Sequence, residues 1–233
     1  MNWPRVRKFL YRRLADLLLI FIIIITLFPI FWMVSASFKT NQEIVSSKAL
    51  LPERWQIQNY LDLWRTVNFG TYFRNSLIVC GTTMVIVTVL ATFSGYALSR
   101  FRFPGADLFG LAVLGTQLIP GIMFLLPLYQ IYVFIKNTFG IQLIGTNYGL
   151  IILYTGFYLP LSLWILRGFF ASIPRDLEDA ALVDGCTQFG AFWRIMLPLA
   201  TPGIVATAIY VFLTAWDELL FAWVLDVRTI PVG

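Results

Sequence analysis

Residues Leu17–Phe38 read L-L-L-I-F-I-I-I-I-T-L-F-P-I-F-W-M-V-S-A-S-F, without a single charge. That is longer than the roughly 20 residues needed to cross a bilayer core. Four more stretches free of charge and at least as long as a crossing follow: Asn75–Ser99, Leu108–Ile135, Asn137–Leu166 and Ile195–Trp216. In hydrocarbon, backbone polar groups must satisfy one another, so each such stretch is expected to be a helix. Composition agrees: 59% of the 233 residues are hydrophobic and 12% charged, with a mean hydropathy of +0.78. Soluble domains carry about 25% charged residues. The expected fold is all-α, a polytopic transmembrane helical bundle over 1–233, with no sizeable soluble domain.

Charge sets the orientation. Arg5, Arg7, Lys8, Arg12 and Arg13 precede the first apolar run, and no acidic residue comes before Asp16. Such an excess next to a span marks the cytosolic side, so the N-terminus is expected there and a nucleic-acid partner is not. The run exceeds the 7–15 apolar residues of a cleaved leader, which favours an uncleaved first span. The expected spans are about Leu17–Val34, Phe73–Leu98, Leu108–Tyr129 (interrupted by Pro120-Gly121 and Pro127), Tyr148–Leu166 and Gly203–Val224. Five spans put the C-terminus outside, and the ending reads as if a sixth span were missing. Between the first two spans, about Lys39–Arg74, lies a polar outer loop with several Trp and Tyr, and within it Leu50-Leu51-Pro52 through Asn59-Tyr60 reads as a compact extracytoplasmic segment rather than a linker. Ala91, Gly95 and Ser99 recur every four residues; this is either a close-approach face for another helix or ordinary tolerance of small residues.

The chain has two cysteines and no histidine. Cys80 lies in a span and Cys186 in a cytosolic loop, which argues against a disulfide. No cluster has metal-site spacing, and no G-x-x-x-x-G-K-[ST] is present to cradle a nucleotide. Any energy has to come from elsewhere.

The segment between the fourth and fifth spans, 173–198, reads I-P-R-D-L-E-D-A-A-L-V-D-G-C-T-Q-F-G-A-F-W-R-I-M-L-P. Pro174 suits the first turn of a helix, and Asp176, Glu178 and Asp179 place negative charge where the helix dipole favours it. Asp184-Gly185 suits a turn, and Thr187 can cap a second helix. There Phe189, Phe192, Trp193 and Met196 fall at i, i+3, i+4 and i+7, one apolar face, and Pro198 is expected to end the helix. An acidic start and a bulky apolar face on a cytosolic elbow call for something to dock into.

Asp179-Ala180-Ala181, Gly185, Ile195, Leu197 and Pro198 resemble, at matching spacing, the E-A-A, three residues, Gly, nine residues, I-x-L-P signature of ABC importer permeases. Asp179 stands where that signature has Glu, with Glu178 beside it. Phe28-Pro29, Ser37-Phe38-Lys39, Asn59-Tyr60, Asn75-Ser76, Tyr96-Ala97, Arg100-Phe101-x-Phe103-Pro104-Gly105 and Trp216-Asp217-Glu218 extend the resemblance along nearly the whole chain. They point to carbohydrate-uptake permeases of the maltose-transporter type, second permease of the pair; Asp217 departs from the Asn usual there.

The resemblance implies a fold of the type I ABC importer permease kind in the cytoplasmic (inner) membrane of a prokaryote. It also implies a second permease subunit, two ATP-binding subunits carrying ATP and Mg, an extracytoplasmic solute-binding protein and a sugar substrate, with no cofactor on this chain and no catalysis by it. The loop 173–198 becomes the coupling element. Its contact residues are expected among Glu178, Asp179, Ala180, Ala181, Asp184, Gly185, Phe189, Phe192, Ile195, Met196, Leu197 and Pro198. Phe189, Phe192 and Met196 would form the docking face, and Asp176, Glu178, Asp179 and Asp184 would meet basic partners.

For the substrate path the candidates are Gln117, Tyr129, Asp217 and Glu218. Intramembrane acids usually face a cavity or a partner, so Asp217 and Glu218 either border the path or cap a bend. Other classes fit less well. An ABC permease for glycerol phosphate or an amino acid would look similar. An ion-coupled secondary transporter would show inverted repeats, and none is evident. In a membrane-embedded enzyme Asp217 and Glu218, adjacent on a helix, would diverge.

Overall fold

The computed structural model describes residues 3–225 apart from 48, 67 and 102. Among them helices are the only regular structure, and five are long and apolar enough to cross a membrane. The described residues fall into two units dividing after Phe69.

In the first unit, α1 (Trp3–Ser37) contains the quoted run. None of its most apolar window is buried, as befits a helix apolar on every side that is solvated by lipid. The chain then folds back on the end of α1 through α2 (Asn41–Ser46) and α3 (Gln58–Thr66). Asn59 Nδ2 donates to the carbonyls of Ser37 (3.0 Å) and Lys39 (2.9 Å), and the Ser37 and Tyr60 hydroxyls share a 2.6 Å bond. Phe38 packs on Trp55 and Tyr60. Lys39, 2% exposed, donates to the Ala49 carbonyl and lies 4.6 Å over the Trp32 ring. Ser37-Phe38-Lys39 and Asn59-Tyr60, separate in the sequence, are thus two halves of one contact, and the segment is compact as expected.

At α2, Thr40 and Glu43 form a reciprocal capping box. Hydrogen bonds, first of all from the Thr40 backbone N–H, hold the half-buried Glu43 carboxyl below its ordinary value. The stabilisation from that lowered value is therefore present above the ordinary carboxylate range and lost as pH falls through it.

In the second unit, α4 (Phe69–Arg100) and α7 (Asn147–Ser172) are the most enclosed crossings, each with 44% of its apolar window buried. The crossing that ends in α6 has 6% and lies at the periphery. Two apolar clusters run along the bundle. Val79, Cys80, Leu153, Tyr154 and Ala215 belong to one, and Ala91, Tyr96, Leu166, Phe170, Phe192 and Met196 to the other.

Gly95 is buried, and a Cβ there would sit 2.9 Å from the Arg167 amide nitrogen and 3.1 Å from the Leu166 carbonyl carbon. The small-residue stripe is therefore a close approach of α4 to the α7 backbone. Since backbone cannot yield as a side chain can, Gly95→Leu is expected to cost about 1–3 kcal/mol or more. In detergent, with Cys186→Ser, a thiol dye should reach the buried Cys80 at a lower temperature than in the parent.

Several expected boundaries move. The third crossing does not run from Leu108 to Tyr129. It starts as α5 (Ala106–Gly115) with a tight turn to Leu118, breaks at the extended Ile119 and Pro120, and resumes from Gly121 into α6 (Leu125–Phe139). The interruption expected at Pro120-Gly121 is present, since Pro120 has no N–H to continue a helix, whereas Pro127 lies in the first turn of α6 and does not interrupt it. At the other end Lys136 sits in the last turn of α6, where a cation meets the negative end of the dipole, and Gly140 at φ 72° closes it. The fifth crossing likewise begins before Gly203, because Gln188–Trp216 is one continuous helical path, and it breaks at Asp217 before α11 (Leu220–Leu225). Residues of the chain's last stretch from 226 lie outside the described residues.

Candidate coupling site

The elbow is built as its sequence dictates up to the second helix. Pro174 sets the entry to α8 (Arg175–Val183), with Asp176 and Glu178 in its first turn. The exit is a Schellman turn: Cys186 N–H donates to the Ala181 carbonyl (2.9 Å) and Gly185 N–H to Leu182 (3.1 Å). That closure needs a left-handed residue after the helix, and Gly185 supplies it at φ +88°. Thr187 then caps α9 (Gln188–Ala191), its Oγ1 accepting from Gly190 N–H at 3.1 Å.

Pro198 does not end this second helix. Phe192–Met196 widens into a π turn, in which Leu197 N–H donates to Phe192 O, five residues back, and α10 (Leu197–Trp216) follows without a stop. A proline in a regular α-helix lacks a donor and crowds the carbonyl four residues before it. The wider turn relieves that conflict at Arg194, so a residue expected to be a terminator is absorbed.

The apolar docking face is also corrected. Phe192 is 3% exposed and Met196 0%. Both pack into the elbow-end core, Phe192 against Tyr96 (4.7 Å between centroids), Phe93 and Phe170. What the elbow presents outward instead is Val183 (87% exposed), Phe189 (67%), Trp193, Leu177 and Leu182. Asp176, Asp179, Ala180, Asp184, Gly185 and Pro198 are exposed, Ala181 is buried, and Ile195 and Leu197 are half-buried.

Glu178 does not face outward either. It is buried, its Oε2 lies 3.0 Å from Arg100 Nε, and its Oε1 accepts from the Tyr96 hydroxyl at 2.5 Å. The Arg100 Nε–H is not aligned with the carboxylate, so this contact is an ion pair rather than a good hydrogen bond. Arg100 Nη2 also donates to Ile173 O (2.9 Å), and Arg175 donates to Ser99 O (3.3 Å). Tyr96 and Arg100 were not among the expected elbow residues. Their i, i+4 spacing on one helix face, polar at the end of an apolar span, was the available signal.

The expected path residues separate. Gln117 and Glu218 border one cleft of about 350 Å³, together with Pro120, Tyr154, Tyr158 and Tyr210. Tyr129 is 40% exposed and outside that lining, and Asp217 is exposed at the end of α10. Glu218 is occupied with structure: its oxygens accept from Leu220 N–H (3.1 Å), Phe221 N–H (3.0 Å) and the Tyr154 hydroxyl (3.1 Å). Of the two readings of this acid, the capped bend is the one the geometry supports. Gln117 is tied to the Phe157 carbonyl at 3.0 Å.

A bent, capped elbow between two crossings, presenting Val183 and Phe189, is the feature against which relatives can be judged. Residues 8–226 match the family described as binding-protein-dependent transport system inner membrane component. The chain belongs to that family. As a permease it resembles the diacetylchitobiose uptake system permease protein NgcG of Streptomyces coelicolor, 38% identical over 210 residues that make up 90% of this chain and 68% of the relative. The trehalose/maltose transport system permease protein MalG of Thermococcus litoralis is 33% identical over 90% of this chain and 75% of its own length. The trehalose transport system permease protein SugB of Mycobacterium tuberculosis is 38% identical over 84% and 69%. The fold also matches the crystal structure of a bacterial ABC transporter involved in the import of the acidic polysaccharide alginate, with a TM-score of 0.79 over 94% of this chain and 75% of that one, at 22% identity. The permease is thus a multi-pass membrane component of a transport system.

Proposed function

We propose that this permease forms half of the translocation pathway for a sugar or oligosaccharide in an ATP-driven importer. The observation that carries the reading is the elbow, whose Schellman turn at Gly185 holds the exposed Val183 and Phe189 on a short rigid projection. A separate ATPase can shift a permease only through contacts that differ between its two states, and a projection held by caps at both of its helices can carry such a push without folding up. In this reading the basic residues ahead of the Leu17–Phe38 run sit in the cytosol. Counting crossings then places the elbow on the same side, within reach of two ATP-binding subunits that carry the ATP and Mg and do the hydrolysis.

A second permease completes the pathway, and an extracytoplasmic solute-binding protein delivers the solute. The sugar class rests on the relatives, which are named for diacetylchitobiose, trehalose and maltose uptake. Gln117 and the tyrosines around the 350 Å³ cleft are the groups of this chain suited to a hydroxyl-rich solute, with Glu218 holding the bend behind them. Tyr129 and Asp217 play no part in that cleft.

The test is uptake by the importer reconstituted with its second permease, ATPase and binding protein. Expected is ATP-dependent accumulation of one or more mono- to oligosaccharides. Uptake of an amino acid or glycerol phosphate, with no sugar transported, would refute the substrate class. Failure of the permease to retain an ATPase during purification would refute the importer.

A further inference from the structure

The Arg100 guanidinium reaches from the end of α4 into the middle of the elbow. It pairs with Glu178 of α8 at 3.0 Å, donates to Ile173 O at the joint between α7 and α8 at 2.9 Å, and lies 3.8 Å from the Met196 sulfur in the π turn. One side chain of α4 therefore contacts the elbow's first helix, its entry joint and its second helix. Both charges are enclosed, with Arg100 side-chain exposure at 5% and that of Glu178 at 11%. The other carboxylate oxygen is held by Tyr96, also from α4. The elbow is joined by the chain itself to α7 and α10; nothing covalent nearby joins it to α4. Separating an enclosed ion pair leaves two unpaired charges, which is strongly disfavoured, so this contact persists while weaker surfaces slide.

We propose that Arg100 and Glu178 are positioning residues that make α4 travel with the elbow as one body when the elbow is displaced. The inference rests on the reading of the elbow as the ATPase contact and adds which membrane helix, besides the two it is chained to, receives the motion. Through Gly95, whose missing Cβ lets α4 lie on the α7 backbone, the two enclosed crossings then turn together. Glu178, placed by its sequence among residues meeting basic groups of a partner, meets a basic group of its own chain.

The experiment uses the reconstituted importer and reads solute accumulated per ATP hydrolysed, a ratio that loss of folded protein alone does not change. Glu178→Gln, which keeps shape and removes the charge, is expected to lower the ratio by at least about fivefold, the lower end of coupling between distant sites. The paired exchange of Glu178→Arg with Arg100→Glu is expected to restore part of it. A ratio in Glu178→Gln within about twofold of the parent, below that range, overturns the proposal. A second measurement leaves the pair intact. Phe101→Cys at the end of α4 and Gln188→Cys at the start of α9, with Cys186→Ser, are joined by a flexible bismaleimide. Uptake is expected to survive the tie; ATP hydrolysis continuing with uptake abolished shows that α4 and the elbow must part, and overturns the proposal. If the parent chain itself retains no ATPase, it is the importer reading that fails, which keeps the two failures distinct.

Discussion

Leucine in place of Gly185 is expected to abolish most uptake while leaving the permease inserted and the ATPase bound. Gly185 stands at φ +88° with open space where a Cβ would lie, so the substitution meets no clash and acts through the backbone alone. A side chain in the left-handed region costs roughly 1–2 kcal/mol, and each 1.4 kcal/mol is about tenfold in an equilibrium. The Schellman closure that sets the angle between α8 and α9 would then be lost in a large share of molecules, and a push on α8 would no longer reach α10. Transport per ATP is the measurement, with Gly185→Asn as the companion, because asparagine tolerates this conformation better and should retain more activity. Uptake at the parental rate in Gly185→Leu would show that the turn does not transmit force.

Phe189→Asp is expected to weaken capture of the ATPase by about 2 kcal/mol or more, the scale of an aromatic anchor at an interface, or roughly thirtyfold in Kd. The same variant should leave thermal stability within about 0.5 kcal/mol, since surface substitutions away from special features do little. Phe192→Ala should behave the other way. Its ring is 3% exposed and surrounded by Tyr96, Phe93 and Phe170, so removing it is expected to cost about 3–5 kcal/mol of stability. Binding assays and thermal unfolding on the two proteins separate an outward anchor from a core ring. If Phe189→Asp binds the ATPase as well as the parent, the docking surface lies elsewhere on the elbow.

These two phenylalanines also show what a sequence can and cannot convey. Helical spacing put Phe189, Phe192 and Met196 on one apolar side, but spacing carries no information about what covers that side. The chain's own α4 and α7 cover Phe192 and Met196, and only Phe189 is left outside. Glu178 was obscured for the same reason, because its partner Arg100 is seventy-eight positions away, and long-range pairing leaves no local mark. Gly185 was legible, since a left-handed turn restricts residue type directly. Crossings were legible from length and apolarity, and their ends less so: α6 runs on to Phe139, past the expected end at Tyr129. Pro198 was misjudged because the rule that proline stops a helix assumes regular α geometry on both sides. Glu218 was readable as one of two roles, and choosing between them required the broken backbone at Asp217, which places two free amides within reach of its carboxylate.

The wide turn at Phe192–Met196 has a consequence for how this protein can vary. One residue more per turn advances every later side chain by about 100° around the helix axis. The enclosed positions Ala200, Gly203, Thr207, Val211 and Ala215 face inward only in that phase. Winding these same residues as a regular α-helix would swing the whole row toward lipid, with bulky neighbours rotated in to replace it, whereas deleting one residue within the turn would restore the α-helix and keep the row in phase. This turn therefore has one residue to spare, whereas the same deletion within α10 would rotate every residue after it by about 100°.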